Sequence, residues 1–550
     1  MSLHDSYLAS MTNTPPVSSP ERKGSPSPDS AAGQADDSKR SRLELGAETP
    51  LEMSCELMAH QRLGLEWLIQ REKAYGGSIL ADDVGLGKTI QALALILSRP
   101  PAKGAQNKTT LIQWEDEFET KLEPDMLNIL VYHGAQKKKD MGWEEIKSYD
   151  AVLTTYDMLS DELKKSSRNL TLLSPDAHFH RVILDEAQLI KEPGTDRSEA
   201  ATELQADFRL CLTGTPIMNN IDELYALLQF LRIKPYDDEE VFAEEIGGPL
   251  REGLLAKKDG ASPKRQEKKE LERRSRKAES ALAKVHELLE KIMLRRTKAD
   301  RILGQPIVDL PERIEVDWPV TFSEEEREFY DMLEENEGKS IWGKKAAPLL
   351  KTTRLRQLCL HPDLLPSELQ DPSLGPVQHS SKVDSAMKLL GSIWHEDKRA
   401  KVIVFSGFTK FLSKLGDLLI ASDLVRTAGI RLQRYHGTMS APDRDAALRQ
   451  FRARDNLLLM STKAGSTGLN IACATHVLLM EPDYNPYVEE QAIGRAHRVG
   501  QERAVTVYHL FVEDSIEERI RYTQRDKKEH VRLVLGDKGA PSDNEEVSEA

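Results

Sequence analysis

Ala81-Asp82-Asp83-Val84-Gly85-Leu86-Gly87-Lys88-Thr89 lies between the apolar run Ser78-Ile79-Leu80 and the apolar periodic run Ile90-Gln91-Ala92-Leu93-Ala94-Leu95-Ile96-Leu97. The order reads as strand, turn, helix, with Gly-Lys-Thr at the helix start. Gly85 and Gly87 let backbone N–H groups approach a phosphate chain closely. The helix N-terminus adds partial positive charge, Lys88 adds a full one, and Thr89 offers a hydroxyl to Mg²⁺. Asp83 stands in the same turn and joins these residues as a nucleotide-binding candidate. Asp82 occupies the place of the first glycine of the standard phosphate loop, so the pattern needs a partner.

The partner lies about a hundred residues on. Val182-Ile183-Leu184 reads as a buried strand ending in Asp185-Glu186-Ala187-Gln188. In a parallel sheet, a carboxylate at the C-terminal end of a strand sits beside the phosphate loop. Asp185 is then the candidate Mg²⁺ ligand with Thr89, and Glu186 the candidate base that orients and deprotonates the attacking water. Alone, an acidic strand end that caps the next helix reads equally well. Beside a phosphate loop, the catalytic reading takes precedence.

Further blocks narrow the chemistry. Leu210-Cys211-Leu212-Thr213-Gly214-Thr215-Pro216 is another buried strand running into a turn. Gln491, Arg495 and Arg498 follow the order Gln-x-x-x-Arg-x-x-Arg. On a helix, positions i, i+4 and i+7 share a face. Two arginines on one face suit a clamp on a γ-phosphate whose charge spreads in the transition state. A solvated basic helix face is the plain alternative.

These blocks resemble the SWI/SNF class of helicase-like ATPases in helicase superfamily two, from about Leu57 to Ile520. The matching segments run in order through Leu57-Met58-Ala59-His60-Gln61, the phosphate loop, Leu153-Thr154-Thr155-Tyr156, Asp185-Glu186-Ala187-Gln188 and Leu212-Thr213-Gly214-Thr215-Pro216. They continue with Met293-Leu294-Arg295-Arg296-Thr297-Lys298, Leu355-Arg356-Gln357-Leu358-Cys359-Leu360-His361-Pro362, Lys463-Ala464-Gly465-Ser466-Thr467-Gly468-Leu469-Asn470, Asn485-Pro486 and the arginine block. Gln188 and Pro482 look most like the post-replication-repair and helicase-like transcription factor branch. The resemblance implies two RecA-like parallel-sheet lobes (an α/β fold) with a helical insertion between them. It implies ATP and Mg²⁺, with ATP drawing the lobes together and Gln61 reading adenine. It further implies a double-stranded DNA partner gripped through phosphates by Thr154, Thr155, Thr213, Thr215, Lys463, Gly465 and Asn470, work in chromatin remodelling or DNA repair, nucleosomes or repair proteins as possible partners, and a nuclear location.

Bulk properties agree with that class. At 550 residues the chain holds two or three domains. Its net charge of −14 argues against a general polyanion binder, though a local basic cleft outweighs the sum. No apolar run approaches the roughly 18–20 residues of a membrane span. The cysteines Cys55, Cys211, Cys359 and Cys473 stand singly, without a Cys-x-x-Cys pair. They read as reduced thiols in an intracellular protein. The RING finger often found in the resembled branch needs clustered Cys and His ligands. Neither zinc nor ubiquitin transfer is therefore expected.

Composition divides the chain. Residues 1–50 are rich in Ser, Pro, Asp and Lys and read as a disordered arm. Within it, Lys39-Arg40-Ser41-Arg42 is either a nuclear import signal or a solvated basic cluster. Strand and helix patterns alternate over 51–236, the first lobe, with strands expected at 78–81, 127–132, 151–155, 181–184 and 209–213. The alternation lapses over 237–380, where a lysine- and arginine-rich run at 257–277 reads as an exposed helical insertion. It resumes over 381–512, the second lobe. A closing helix at 513–535 and an acidic disordered tail at 536–550 complete the reading.

One departure from the family is large. Thr109-Thr110-Leu111-Ile112 runs directly into Gln113-Trp114-Glu115-Asp116-Glu117, so about eight residues that relatives carry there, including a DNA-contacting turn, are missing. The second strand should be cut short inside a buried sheet. Smaller departures are Gly407, Ser466 and Tyr484. Two other functions stay open: a strand-separating helicase of another branch, and a DNA-bound scaffold impaired in hydrolysis by the shortened segment.

Overall fold

A computed structural model describes residues 46–101, 109–112, 114–124, 126–133, 141–164, 170–258, 265–335, 347–369, 380–464 and 469–536. Residues 1–45, with the basic cluster Lys39-Arg40-Ser41-Arg42, and the tail from 537 lie outside the described residues, as does Gly465. The chain forms two compact units: one runs through Ile307 and includes His530 onward, and the other is Val308–Glu529.

The first unit is built on a parallel sheet ordered β3-β4-β2-β5-β6-β1-β7. Its strands are β1 (Gly77–Leu80), β2 (Thr109–Ile112), β3 (Ile129–Val131), β4 (Ala151–Thr154), β5 (Phe179–Leu184), β6 (Ala206–Leu212) and β7 (Met293–Leu294). Apolar runs such as Val182-Ile183-Leu184 are fully buried, as expected for strands covered on both faces. Helix Lys88–Ser98 follows the phosphate loop and buries Ala92, Leu93, Ala94 and Leu95 completely or nearly so. Each such leucine contributes about 1.5–3 kcal/mol. β2 has four residues, as β1 and β4 do; it pairs with β4 along four residues and with β5 along only two.

A small antiparallel ribbon, β8 (Arg301–Ile302) and β9 (Gln305–Pro306), comes just before the boundary at Ile307. The second unit has a parallel sheet ordered β10-β15-β14-β11-β13-β12. Its strands are β10 (Arg313–Val320), β11 (Val402–Ser406), β12 (Leu432–Tyr435), β13 (Leu457–Ser461), β14 (His476–Leu479) and β15 (Val505–Val512). Two parallel-sheet lobes are thus the fold.

The segment 237–380 is not wholly helical. It contributes β7 to the first sheet and β10 to the second, paired with β15 along eight residues. β7 is two residues long, too short for periodicity to register. β10 is an edge strand whose side chains alternate between half-buried and exposed, so it lacks the solid apolar run of a central strand. The basic run does enter a helix, Arg265–Ile292. Residues 271–277 are exposed all round, whereas Ala281, Val285, Leu289 and Ile292 form one buried stripe.

Candidate active site

The phosphate loop leaves β1 and is held from β7. Ala81 N–H donates to Leu294 O at 2.7 Å and Asp83 N–H to Arg296 O at 2.9 Å. Gly85 and Gly87 have φ of +96° and +81°. At Gly87 the backbone favours glycine, and an added Cβ would meet Gln61 Nε2 at 2.5 Å and Ile90 Cγ2 at 2.9 Å, displacing the Gln61 carboxamide. Gly87 is the N-cap of helix Lys88–Ser98 and offers no side-chain cap, leaving the first-turn N–H groups for an anion. Lys88 Nζ donates to Asp82 O at 2.6 Å and Asp83 O at 3.4 Å. Its ammonium therefore lies over the loop, within a side-chain swing of a bound phosphate. Thr89 is half-buried beside it.

Asp82 explains its own presence. It is fully buried and paired with Arg296, itself almost fully buried. Arg296 Nε donates to Asp82 Oδ1 at 2.9 Å, Nη2 donates to Asp82 Oδ2 and, at 2.8 Å, to Gln91 Oε1, and Nη1 donates to His60 O. Burial alone would raise the Asp82 pKa; the Arg296 charge and hydrogen bonds hold it below the usual value. Arg296 thus ties the loop to the helix after it and to the segment carrying Gln61. Gln61 lies against the loop, with its Nε2 donating to Leu86 O at 3.3 Å and its Oε1 accepting from Met58 N–H at 3.0 Å. Both ends of its carboxamide are engaged, so adenine would have to replace these bonds. Asp83 Oδ2 accepts Lys298 N–H at 3.1 Å, and burial raises its pKa.

Asp185 and Glu186 follow β5, two strands from β1 across β6. Asp185 Oδ1 accepts Glu186 N–H at 2.9 Å and Oδ2 accepts Trp114 Nε1–H at 2.7 Å. Burial, then the Glu186 charge, pushes the Asp185 carboxyl up to about 6. Glu186 has φ of +49°, a conformation that a turn away from the sheet imposes. Its Oε2 accepts Gln188 Nε2–H at 2.6 Å, and Gln188 Oε1 accepts the Thr213 hydroxyl at 2.7 Å. A chain of side chains therefore joins the candidate base to the turn after β6. Asp185, Glu186 and Thr89 offer only oxygen atoms, which suits Mg²⁺, a hard cation that keeps several waters.

Of the candidate DNA-contact residues, Thr154, Thr213 and Thr215 are buried. Thr154 is fully buried at the end of β4 and its hydroxyl donates to Tyr132 O at 3.1 Å. Thr213 is fully buried and spent on Gln188, and Thr215 is buried with its N–H on Thr213 Oγ1 at 3.0 Å. These hydroxyls face inward because the strand ends are covered on both faces. Thr155 Oγ1 caps helix Tyr156–Leu163 by accepting Met158 N–H. Lys463 and Asn470 are exposed.

In the second unit, helix Pro486–Ile493 carries Gln491, but Arg495 and Arg498 lie beyond its end, not on one of its faces. Gly494, a weak helix former, closes it. Arg495 N–H and Ala496 N–H then bond to carbonyls three residues back, a tighter turn than the α-helix. Arg498 Nη1 donates to Leu469 O at 2.9 Å, and Arg495 is almost fully buried.

The C-terminal edge of this sheet holds another carboxylate that the sequence did not single out, Glu481. Its Oε1 accepts Gly407 N–H at 2.6 Å and the Ser406 hydroxyl at 3.0 Å; its Oε2 is buried without a hydrogen-bond partner among the described residues. Burial, opposed by the Arg356 charge, pushes its carboxyl up to about 7. The folded state then keeps a proton that the unfolded chain has released, so stability falls as pH rises from about 4.5 to about 7. The loss is on the order of 3 kcal/mol. Glu481→Gln should be more stable than the parent at pH 8 and nearly equal at pH 4.5, as read by urea denaturation. A difference that does not change with pH would refute the buried charge.

Residues 60–364 match the SNF2-related domain and residues 381–500 the helicase conserved C-terminal domain. The chain belongs to the SNF2-related family. Among SNF2-related and helicase-like proteins, it is 31% identical over 503 residues to the probable global transactivator of Orgyia pseudotsugata multicapsid polyhedrosis virus, covering 86% of this chain and 90% of that one. It is 28% identical over 545 residues to the helicase-like transcription factor of Mus musculus, covering 78% of this chain and 50% of that protein. The chain spans 61%, 41% and 45% of the length of three relatives from Schizosaccharomyces pombe, Saccharomyces cerevisiae and Arabidopsis thaliana. A solved Sulfolobus solfataricus SWI2/SNF2 ATPase core in complex with dsDNA is 23% identical, with a TM-score of 0.38 over 88% of this chain and 98% of that one.

Proposed function

We propose that this SNF2-related chain hydrolyses ATP in response to double-stranded DNA and moves along the duplex by tracking one strand, in chromatin remodelling or DNA repair within the nucleus. The observation that carries this reading is the placing of a glycine-built phosphate loop and the Asp185–Glu186 pair at the C-terminal ends of β1 and β5 of one parallel sheet. Lys88 leaves the loop carbonyls to neutralise phosphate charge. Thr89 and Asp185 would hold Mg²⁺, which supplies charge neutralisation on the phosphate oxygens when bound. Glu186, held by Gln188, orients a water and takes its proton. Gln61 trades its present bonds for the adenine edge. Arg495 and Arg498 of the second unit supply positive charge as the γ-phosphoryl group leaves. Thr155, Lys463, Asn470 and the exposed basic part of helix Arg265–Ile292 are the proposed phosphate contacts on DNA, which hold the backbone without reading bases.

ATP turnover by the purified chain, with and without duplex DNA, tests this. Lys88→Ala should lose turnover. Glu186→Gln should still bind ATP but turn over about 10²–10⁴-fold more slowly, the usual worth of a positioned base. Parent-like turnover in either variant would sink the assignment. A strand-displacement assay separates translocation from unwinding. The pairing of β2 with β5 along only two residues favours a second reading, a DNA-bound scaffold, for which ATP would bind without DNA-stimulated turnover.

A further inference from the structure

Trp114 stands two residues beyond β2, and β2 lies beside β5 with Thr110 level with Val182. Trp114 reaches the carboxylate end of β5. Its ring is almost fully buried and packs in the core cluster with Phe118, at 6.3 Å between ring centroids, and with Leu93 and Leu95. Its Nε1–H donates to Asp185 Oδ2 at 2.7 Å, while Glu186 N–H takes Oδ1 at 2.9 Å and the Tyr156 hydroxyl donates to Asp185 O at 2.9 Å.

From this geometry we propose that Trp114 is a positioning residue for the divalent cation: its indole N–H fixes the Asp185 carboxylate in the orientation that ligates the metal. A carboxylate offers about four lone-pair sites, and two are spent here, so ligating capacity remains. The indole nitrogen is a donor only and cannot itself ligate the cation. The terminal torsion of an aspartate is otherwise broad, and a rigid ring anchored in the core removes that freedom before the metal arrives. Hydrogen-bond partners of metal ligands typically carry about 10–100-fold in metal affinity.

The inference rests on Asp185 as the cation's carboxylate, and the test separates the two. Mn²⁺, a paramagnetic stand-in for Mg²⁺, is titrated into the full chain with ADP, and free Mn²⁺ is read by electron paramagnetic resonance. Trp114→Phe should weaken Mn²⁺ by about 10–100-fold, leave metal-free ADP affinity unchanged, and be partly rescued in Trp114→His, which keeps a ring donor. Equal binding in Trp114→Phe and the parent overturns the proposal. Tighter binding in Trp114→Phe also overturns it, because the indole would then compete with the metal. Equal weakening in the Phe and His variants overturns it as well, because packing would be the cause. If Asp185→Asn keeps full Mn²⁺ affinity, the reading of Asp185 itself fails. Should the ring variants not fold, the parent decides. The chain has six tryptophans, and the relevant indole ¹⁵N–¹H resonance is identified by its shift in Asp185→Asn. That resonance should stay hydrogen-bonded when Mg²⁺ and ADP are added; its move to a free indole position overturns the proposal.

Discussion

Replacing Arg498 by Ala is expected to lower kcat about 10³-fold or more while leaving KM for ATP within a few-fold of the parent. The charge matters most when negative charge spreads over the leaving γ-phosphoryl group, so its removal should be felt in the transition state and little in ground-state binding. Arg498 is half-buried, and its Nη1 rests on the Leu469 carbonyl in a turn beyond helix Pro486–Ile493. Arg495 is almost fully buried, so Arg495→Ala should lower stability along with turnover. Steady-state kinetics with saturating duplex DNA read the effect. A change confined to KM would place Arg498 in ATP binding instead.

Removing Arg296 should strongly destabilise the first unit. Its guanidinium is almost fully buried and bonds to the Asp82 carboxylate, Gln91 Oε1 and His60 O. Arg296→Ala leaves a carboxylate buried without its counter-ion, and breaking such a pair from one side costs about 3–5 kcal/mol. Against a typical margin of about 5–15 kcal/mol, that is a large share. Asp82→Gly, which restores the usual first glycine of a phosphate loop, should destabilise by a similar amount because it strands the guanidinium. The double variant Asp82→Gly with Arg296→Ala should recover part of the loss, since neither charge remains. Thermal and urea melts of the four proteins measure this. Additive losses in the double variant would show that the two residues do not act as a pair.

These two arginines mark where the sequence could be read and where it could not. The phosphate loop and the Asp185–Glu186 pair were legible because each is local: a few consecutive residues at a strand end set both the turn and its chemistry. The buried strands β5 and β6 were legible from their apolar runs Val182-Ile183-Leu184 and Leu210-Cys211-Leu212. The edge strand β10 was not, because half its side chains face solvent. Arg495 and Arg498 were placed on a helix face by spacing alone, and Gly494 ends that helix before them. Thr154 and Thr213 were placed at a DNA backbone by their residue type, and burial turned their hydroxyls inward.

By itself, then, the sequence determined the fold class, the glycine turn between β1 and the next helix, and the position of the carboxylate pair at the end of β5, since local backbone geometry and apolar patterning are written in neighbouring residues. Only the tertiary structure decided what holds them. Arg296 reaches Asp82 across 214 positions and Trp114 reaches Asp185 across 71. A parallel sheet brings strand ends from distant parts of the chain to one edge, and which side chains meet there depends on register and strand order, which no local pattern encodes.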